Sequence, residues 1–476
     1  MTEQQLADLG PALARFLDRF LFCCAYTQTF GHLSTYVHGL LSDLPRKSVE
    51  PIALRAGTPA RTLQQFLRDH AWDFAAVRDG LQRHAADRLP SLADAHGLGS
   101  VGFLDETSAA KSGARTPGVQ RQYLGCLGKV DNGIVTVHLG ACRGRYQALL
   151  DADLFLPEGW SGDRPRCRRA GIPDTVVYRP KWQIALEQLD RARANGVVLD
   201  WLTFDAEYGK RPGFVAGLDE RGQRFVGEVP GGFSCLAAVR SGRRPGEAAK
   251  GRPAEAVVRS GAAFRSQPWQ VLRLARQTEA DQVWRAKAAR VWLSSAAGWS
   301  AGTYWLVWAS NDQTGEEKFF LSNAPAEAAV GVLLRVAFRR AGVEHCLRVC
   351  KSELGFAHFE GRSYPALLRH LTLCLVGLAF VAEHTEQLRG EKPGADGGAG
   401  VPGAGGGGPG VAGGAAADQR AGLGVGHHPL PPGAQPGGAR LQAEEAARRP
   451  GPQEGVAAPA KEKKPIHSKI KVALYC

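Results

Sequence analysis

The sequence lacks several features that would assign it to a familiar class of protein. Its ten cysteines include no pair at Cys-x-x-Cys spacing, so we expect reduced thiols rather than a disulfide framework. No secretory signal is expected, because Glu3 and Asp8 precede the first basic residue, Arg15, and no small-residue cleavage site follows. The strongest apolar run, residues 371–382, is too short to span a bilayer and predicts a buried helix. These absences predict a soluble, cytoplasmic protein with no membrane partner.

The chain also carries little acidic charge relative to its basic charge. It has 46 Asp and Glu against 59 Lys and Arg, which gives a formal net charge of +13. This basic excess favours a polyanionic partner such as nucleic acid, since contacts to phosphate oxygens come mainly from Lys and Arg. An arginine-rich surface encoded by GC-rich DNA is the alternative explanation. At 476 residues the chain is long enough for two or three domains.

Residues 1–95 are predicted to form a helical domain. Apolar spacing predicts one helix from about residue 11 to residue 21 and a second from about residue 47 to residue 55. A third helix is expected to be capped by Thr58, with Pro59 at its first position. Gly57 forms the turn between the second and third helices.

The third helix carries Arg61 and Arg68 on its predicted outer face. A helix, a glycine turn and a capped helix with outward arginines resemble a DNA-binding helix-turn-helix. A plain helical hairpin fits the same residues equally well, so both interpretations stay open.

From residue 96 to residue 210 the pattern changes to short β-type runs mixed with helix. We expect a strand at 100–104 and a hairpin of strands 122–127 and 133–139 that turns at Asp131-Asn132-Gly133. An amphipathic helix at 180–194 and a buried strand at 197–204 follow. This mixture indicates an α/β layer fold. The intervening segment 156–181 is expected to be a basic loop that contacts the DNA backbone through Arg164, Arg166, Arg168 and Arg169.

Residues 211–330 are predicted to be a β-rich insertion, because 138 residues between Asp205 and Glu344 are too many for one loop. Six of the ten tryptophans fall between Trp269 and Trp308, where packing in a sheet is favoured over stacking on unpaired bases. The strand-like stretches are 224–229, 270–274, 290–293, 304–309 and 318–322.

Residues 331–390 are predicted to be helices of the core, and residues 391–476 a low-complexity, disordered tail rich in Gly, Ala and Pro. The glycine run at 403–408 is not a phosphate-binding loop, because no Gly-Lys-Ser/Thr follows it and no strand precedes it.

Three acidic residues carry the functional prediction. Asp105 follows the run at 100–104, Asp205 follows the run at 197–204, and Glu344 lies in a helical pattern between Arg340 and Lys351. Carboxylates at the ends of two strands, with one more from a later helix, are typical ligands of a two-metal site for phosphodiester chemistry, and their oxygens suit Mg²⁺. Taken singly, an Asp at a strand end is more often a turn or helix cap than a ligand, and Glu344 alone would be an ordinary surface residue.

The spacing of Arg340, Glu344 and Lys351 resembles part of a family signature. It fits R-(3)-E-(6)-K of the Y-(2)-R-(3)-E-(6)-K motif of bacterial insertion-sequence DDE transposases, although the tyrosine position is Ala337. The resemblance extends over about residues 15–390. Further similarity lies in Leu104-Asp105-Glu106-Thr107, residues 118–123, Asp205-Ala206-Glu207-Tyr208-Gly209 and residues 319–324.

The resemblance implies an α/β fold with a ribonuclease-H-like mixed-sheet catalytic core, interrupted by the β-rich insertion. It implies that Asp105, Asp205 and Glu344 bind Mg²⁺, with Mn²⁺ as a substitute, and that Arg340 and Lys351 bind phosphate at the site. The expected reaction is cleavage and strand transfer on double-stranded DNA by a homodimer at the bacterial nucleoid.

Three alternatives stay open at this point. The enzyme is a nuclease that does not join DNA, or the chain is a transposase remnant that binds DNA without chemistry. At the level of the side chains, Arg340 and Lys351 instead pair with Glu106, Glu207 or Glu353.

Overall fold

The computed structural model describes residues 3–390, apart from 239–242, 247, 275–281 and 296–297. The predicted disordered tail, 391–476, lies outside the described residues. The described chain combines helices with two sheets, and this confirms the α/β fold class.

The N-terminal region is helical, as predicted, but its first helix differs from the prediction. It begins before Pro11, ends at Leu17 and continues as a 3₁₀ turn over Asp18–Cys23. Leu9 and Leu13 are both buried, so one apolar face runs past Pro11 and its packing offsets the lost backbone bond. The helices are α1 Glu3–Leu17, α2 Thr27–Leu40, α3 Val49–Arg55, α4 Ala60–Arg68 and α5 Phe74–Arg88.

The predicted cap of α4 is wrong. The residue before its first turn is Pro59, and no side chain caps the helix. Thr58 instead closes α3, because its N–H donates to the Ala53 carbonyl at 3.0 Å while Gly57 adopts a left-handed conformation with φ of 63°. The turn at Gly57 between α3 and α4 is therefore as expected, and the hydroxyl of Thr58 takes no part in it.

A five-stranded mixed sheet forms the centre of the core. Its strands are β1 Val101–Ala110, β2 Gln120–Leu124, β3 Lys129–Arg143, β4 Tyr146–Leu154 and β5 Trp201–Thr203. Strand β3 is antiparallel to β1, β2 and β4, whereas β5 is parallel to β1. A parallel bridge from Leu202 to Phe225 continues the sheet beyond β5. Antiparallel strands followed by parallel ones make the mixed sheet expected of a ribonuclease-H-like core.

The predicted hairpin turn is wrong by several residues. The chain turns at 125–128, where the N–H of Gly128 donates to the Leu124 carbonyl at 2.9 Å and φ is 64°. Gly133 lies inside β3, where a Cβ would stand 2.6 Å from the Ala109 carbonyl oxygen. This glycine permits close strand approach rather than a turn, and sequence alone does not separate the two uses.

The segment predicted as a basic loop contains two short helices, α6 Glu158–Ser161 and α7 Arg164–Arg169. Asp163 caps α7 by accepting from the Arg166 N–H at 2.9 Å. The helix predicted at 180–194 is present as α8 Lys181–Ala194. The strand predicted at 197–204 is shorter, because Val198 is 71% exposed and only Trp201–Thr203 pairs with β1. Two helices follow, α9 Ala206–Gly209 and α10 Pro212–Glu220.

The segment predicted to be a β-rich insertion contributes eight strands to one sheet among its described residues. Trp284 and Trp292 are buried in it, in agreement with packing as the main use of the tryptophans. Its strands are β6 Val226–Val229, β7 Ser234–Ala237, β8 Arg252–Pro253, β9 Gln270–Leu274, β10 Gln282–Ser295, β11 Gly298–Trp299, β12 Tyr304–Asn311 and β13 Glu317–Ser322. Helices α11 Ala254–Ser260 and α12 Ala262–Arg265 lie between β8 and β9.

The chain then returns to the core as α13 Val330–Phe338, α14 Ala341–Ser352 and α15 Tyr364–Gly390. Within α15, Tyr364–Thr385 is long and apolar enough to cross a membrane, but 83% of its most apolar window is buried inside the protein, as in a core helix. Arg369 of α15 donates to the Leu67 carbonyl at 3.1 Å and to the Trp72 carbonyl at 2.8 Å. Helix α15 thus ties the N-terminal helices to the core sheet, which it contacts at β4.

Candidate active site

The register of the core sheet places Asp105 and Asp205 side by side. Phe103 of β1 pairs in parallel with Thr203 of β5, so the residues two positions later are neighbours at the point where β5 ends. Asp205 then caps α9, and its carboxylate accepts from the N–H groups of Glu207 at 3.0 Å and Tyr208 at 3.3 Å.

The prediction that Asp105 ends a strand is wrong, since β1 continues to Ala110. Strand β3 keeps pairing with β1 through this region, and Asp105 lies opposite His138. The parallel neighbour β5, however, stops at Thr203, so Asp105 still borders an open edge of the sheet. Asp105 and Asp205 are therefore neighbours although β1 does not end at Asp105.

Glu344 reaches the same place from the first turn of α14. A glycine lets this helix come close to the sheet, because a Cβ on Gly342 would lie 3.3 Å from the ring of Phe103. Arg340, which immediately precedes α14, connects the carboxylates: Nη1 lies 3.2 Å from Oδ2 of Asp105, and Nη2 lies 2.7 Å from Oε1 of Glu344. Arg340 therefore pairs with two residues of the predicted triad rather than with Glu106 or Glu207.

The electrostatics of the two aspartates favour a cation between them. Burial, followed by the charge of Asp205, raises the pKa of Asp105 to about 7. Burial also raises the pKa of Asp205. Arg340 lowers both, and it is the nearest positive charge acting on the pair. The two carboxylates therefore share a site in which full ionisation depends on a positive charge.

A cavity of about 570 Å³ opens over this cluster. Glu344 is 60% exposed beside it, whereas Asp105 is only 16% exposed. Lys351 lines the same cavity and forms no ion pair within the described residues. The side chains around the cavity are those of Asp105, Glu106, Thr107, Glu344, Leu347, Arg348, Lys351 and Ser352.

The donor set fits a divalent metal chemically, since all three side chains offer hard carboxylate oxygens. Among the described residues no three acidic, His or Cys side chains are close enough together to hold a metal ion. The guanidinium of Arg340 lies between Asp105 and Glu344 and contacts both. Binding of a metal by the three carboxylates would therefore require Arg340 to leave its present position.

The tyrosine position of the family signature is filled by core packing. Ala337 is buried, and its carbonyl accepts from the hydroxyl of Thr203 at 3.4 Å. The adjacent Phe338 packs on Trp284, with ring centroids 4.8 Å apart. Neither residue offers a side-chain hydroxyl to the site, so the full signature is not reproduced here.

The four arginines predicted in the basic loop have two different settings. Arg164 donates to the carbonyls of Pro173 and Val176, at 2.9 and 3.1 Å. Arg166 stacks over Trp160, with 3.7 Å between its guanidinium carbon and the ring centroid. These two arginines hold the 156–180 segment together.

Arg168 and Arg169 instead border a cleft of about 840 Å³, together with Arg68 of α4 and Arg362. Arg68 also makes a bidentate pair with Asp69, at 2.8 Å for both contacts. Arg61 is exposed on α4 and does not line this cleft. The cleft is lined by three stretches that are far apart in the sequence, and Arg362 is a member that sequence reasoning missed.

A second group of residues at the site was also missed. Glu106 lines the site cavity, and its carboxylate lies 2.5 Å from Nζ of Lys181. Tyr208 lies next to the Asp205 cap and is 2% exposed. The sequence offered one signal, the short similarity at Asp205–Gly209, but that similarity assigns no role to Tyr208.

A mixed sheet with one acidic residue on a strand, a second just beyond the end of the adjoining strand and a third on a packed helix is an arrangement typical of nuclease-type sites for phosphodiester chemistry. Residues 20–295, more than half of the chain, match the family model of the DDE superfamily endonucleases. The chain belongs to that family. The matched region includes Asp105 and Asp205 and ends before Glu344. Members of this superfamily generally use divalent metal ions.

Two further comparisons give individual proteins to which the chain is similar. The chain is 28% identical over 223 residues to a probable transposase for insertion sequence element IS701 from Microchaete diplosiphon. That match covers 44% of this chain and 53% of the relative, so the chain spans about half the length of the curated relative. A cryo-EM structure of a piggyBac transposase synaptic complex with hairpin DNA is similar at a TM-score of 0.36 and 12% identity, over 82% of this chain and 74% of that one. A similarity this low carries no argument about function.

Proposed function

We propose that this protein is a transposase that cuts double-stranded DNA at the ends of an insertion sequence and joins those ends to target DNA. The observation that carries the proposal is that Arg340 contacts both Asp105 and Glu344 while its charge also acts on Asp205. Carboxylate oxygens are hard ligands suited to Mg²⁺, or to Mn²⁺ in its place, once Arg340 no longer lies between them.

In this proposal Asp105 and Asp205 hold metal jointly, and Glu344 completes the ligand set. The chemistry that a bound metal supplies is a stronger attacking oxygen, from water or a DNA 3′-hydroxyl, and a stabilised 3′-oxygen leaving group. Arg340 and Lys351 bind the non-bridging oxygens of the phosphate once Arg340 has released the carboxylates. Lys351 lines the cavity, and Arg340 contacts Asp105 and Glu344, which line it too.

DNA recognition is assigned to the helix-turn-helix-like pair α3 and α4, and to the arginine cleft. Arg61 and Arg68 lie on α4, and Arg168 and Arg169 face the same cleft as Arg68. Arg164 and Arg166 act indirectly, by holding α7 in place. Strand transfer needs two DNA ends held together, so we propose a homodimer on DNA at the bacterial nucleoid.

The test uses the inverted repeats that flank the gene as a duplex substrate. Asp105→Asn should lower Mg²⁺-dependent cleavage by about 10³-fold or more, while DNA affinity changes less than about twofold, because the neutral amide cannot serve as a charged metal ligand. Asp87→Asn, at an exposed position on α5, is the matched control and should cleave at the wild-type rate. Cleavage by Asp105→Asn at the wild-type rate contradicts the proposal.

The same assay separates the two other functions that fit the site. Cleavage of the repeat without joining to a target duplex indicates a nuclease. Binding without cleavage by the wild-type protein indicates a transposase remnant.

A further inference from the structure

The strand side of the active-site cavity is formed by three consecutive residues of β1, which are Asp105, Glu106 and Thr107. Alternate residues of a strand share one face of the sheet, so Thr107 lies on the same face as Asp105, about 6.6 Å farther along the strand. Thr107 is the next residue after Asp105 on that face, and it is 6% exposed. A group bound beside the carboxylate of Asp105 therefore also lies beside Thr107.

The opposite wall of the cavity is α14, which runs alongside β1 in the same direction. At the beginning of α14, a Cβ on Gly342 would lie 3.3 Å from the ring of Phe103. Beyond its end, the carbonyl of Ala357 accepts from Nζ of Lys111, the residue that follows β1, at 3.0 Å. Because Thr107 lies between Phe103 and Lys111 on the strand, it faces the second half of α14.

The hydroxyl of Thr107 is buried and has no hydrogen-bond partner in the part of the chain that the structure describes. The cross-strand partner, Thr136, is different, because its hydroxyl lies 2.7 Å from Nε2 of His138 and donates to the Thr107 carbonyl at 3.4 Å. A buried hydroxyl that makes no hydrogen bond lowers the stability of the free protein, so such groups usually have another use. A ligand in the cavity that accepts a hydrogen bond would supply the missing partner.

The charges around the cavity define what a phosphate bound there needs. The carboxylates of Asp105 and Glu344 repel its non-bridging oxygens, and the basic groups of Arg340 and Lys351 approach from the helix side. A third basic residue beside Asp105 would form an ion pair with it, as Arg340 does. A neutral hydroxyl on the strand side donates a hydrogen bond without adding a charge that the carboxylates would attract.

We propose that the Thr107 hydroxyl is a further catalytic group, which donates a hydrogen bond to a non-bridging oxygen of the scissile phosphate. The inference rests on the proposed function, because it assumes a DNA phosphate as the substrate. Rotation about the Cα–Cβ bond turns the hydroxyl from the cavity wall toward the phosphate. A fixed donor aimed at oxygens that carry charge in the transition state lowers the barrier to cleavage.

Removal of the hydroxyl separates a catalytic role from a structural one. Thr107→Val keeps the branched shape of the side chain, and its thermal unfolding midpoint should stay unchanged or rise, because no hydrogen bond is lost in the free protein. Its cleavage rate at saturating DNA should fall roughly 10- to 100-fold with little change in KM, as for one lost donor to a charged oxygen. Thr107→Ser should restore most of the rate. A lower midpoint with an equal loss of rate in both variants overturns the proposal.

Two other threonines provide controls for these measurements. Thr136→Val deletes a hydroxyl that is hydrogen-bonded, so it should lower the unfolding midpoint and thereby calibrate the sensitivity of the measurement. Thr175→Val, at an exposed turn, should match the wild type in both midpoint and cleavage rate. A wild-type cleavage rate for Thr107→Val overturns the proposal.

Stereospecific sulfur substitution tests the contact itself. The duplexes carry either the Rp or the Sp phosphorothioate at the scissile position, and sulfur accepts hydrogen bonds more weakly than oxygen. For one diastereomer, part of the slowing seen in the wild type should be absent in Thr107→Val, because the variant makes no hydrogen bond that sulfur could weaken. The other diastereomer should slow both proteins equally. Equal slowing of the two proteins by both diastereomers overturns the proposal.

The same measurements keep the role of Thr107 separate from the proposed function. If the wild-type protein cleaves the repeat and Thr107→Val cleaves it equally fast, the role of Thr107 fails and the proposed function stands. If the wild-type protein cleaves no duplex, the proposed function fails, and the role of Thr107 fails with it.

Discussion

At the scale of single residues, Arg340 occupies the space between two carboxylates of the candidate site. Its guanidinium lies between Asp105 and Glu344 and lowers the pKa of both aspartates. The R-(3)-E spacing could be predicted from the sequence because it is local to one helix turn. The contact from Arg340 to Asp105 could not, because it joins residues 235 positions apart through the packing of α14 on β1.

Loss of Arg340 should make the protein depend on metal for stability. Arg340→Gln leaves Asp105 and Asp205 without their cation, so we expect about 1–2 kcal/mol of destabilisation without metal, less than for a fully buried pair because Glu344 is largely exposed. Mg²⁺ should then raise the thermal unfolding midpoint more in Arg340→Gln than in the wild type. Arg335→Gln on α13 is the control. An equal Mg²⁺ shift in all three proteins contradicts this role.

At the scale of elements, the active-site geometry depends on close backbone contacts that glycines allow. Gly209 ends α9, the helix that Asp205 caps, and a Cβ on it would lie 2.0 Å from the backbone carbonyl oxygen of Glu228 on β6. Element types were largely predictable from apolar periodicity, as for α8 and the insertion strands. The positions of turns were not predictable, because a glycine in the sequence does not reveal its use. Gly133 lies inside a strand, whereas Gly128 forms a turn.

Gly209→Ala should displace Asp205 from its neighbour Asp105. The clash is with backbone rather than with the end of a flexible side chain, so α9 must move, and we expect both a lower thermal unfolding midpoint and a cleavage rate reduced at least tenfold. Gly31→Ala is the matched control, since its Cβ meets nothing within 4 Å in the exposed face of α2. That substitution should stabilise the protein by about 0.5–1 kcal/mol. Equal behaviour of the two variants would contradict the argument.

At the scale of the whole molecule, α15 joins the N-terminal helices to the core through buried polar groups. His370 of α15 hydrogen-bonds the hydroxyl of Tyr36 on α2 at 2.9 Å, and Nε2 lies 3.2 Å from the Gly355 carbonyl oxygen. The apolar run at 371–382 predicted that this helix is buried. It did not predict these partners, because each lies on a different element brought together only by the fold.

The buried histidines should make the protein sensitive to acid. Burial lowers the pKa of His370 to about 4 and that of His138 to about 3. Between pH 6.5 and pH 4 the unfolded chain therefore binds more protons at these sites than the folded protein. The free energy of unfolding then falls with falling pH, by up to about 1.4 kcal/mol per pH unit for each histidine. Above pH 6.5 this contribution is constant.

A comparison of variants isolates the contribution of His370 to this pH dependence. It is needed because the titration of Asp105 changes the free energy of unfolding in the opposite direction. Its pKa, raised to about 7, makes the folded state bind the extra proton over the same range. That contribution is common to the wild type and to His370→Gln, so it cancels between them. On going from pH 7 to pH 5, the urea unfolding midpoint should therefore fall less, or rise more, in His370→Gln than in the wild type. His96→Gln, at an exposed turn, should keep the wild-type difference. A His370→Gln protein with the full wild-type difference would show that the junction at α15 is not the acid-sensitive part of the molecule.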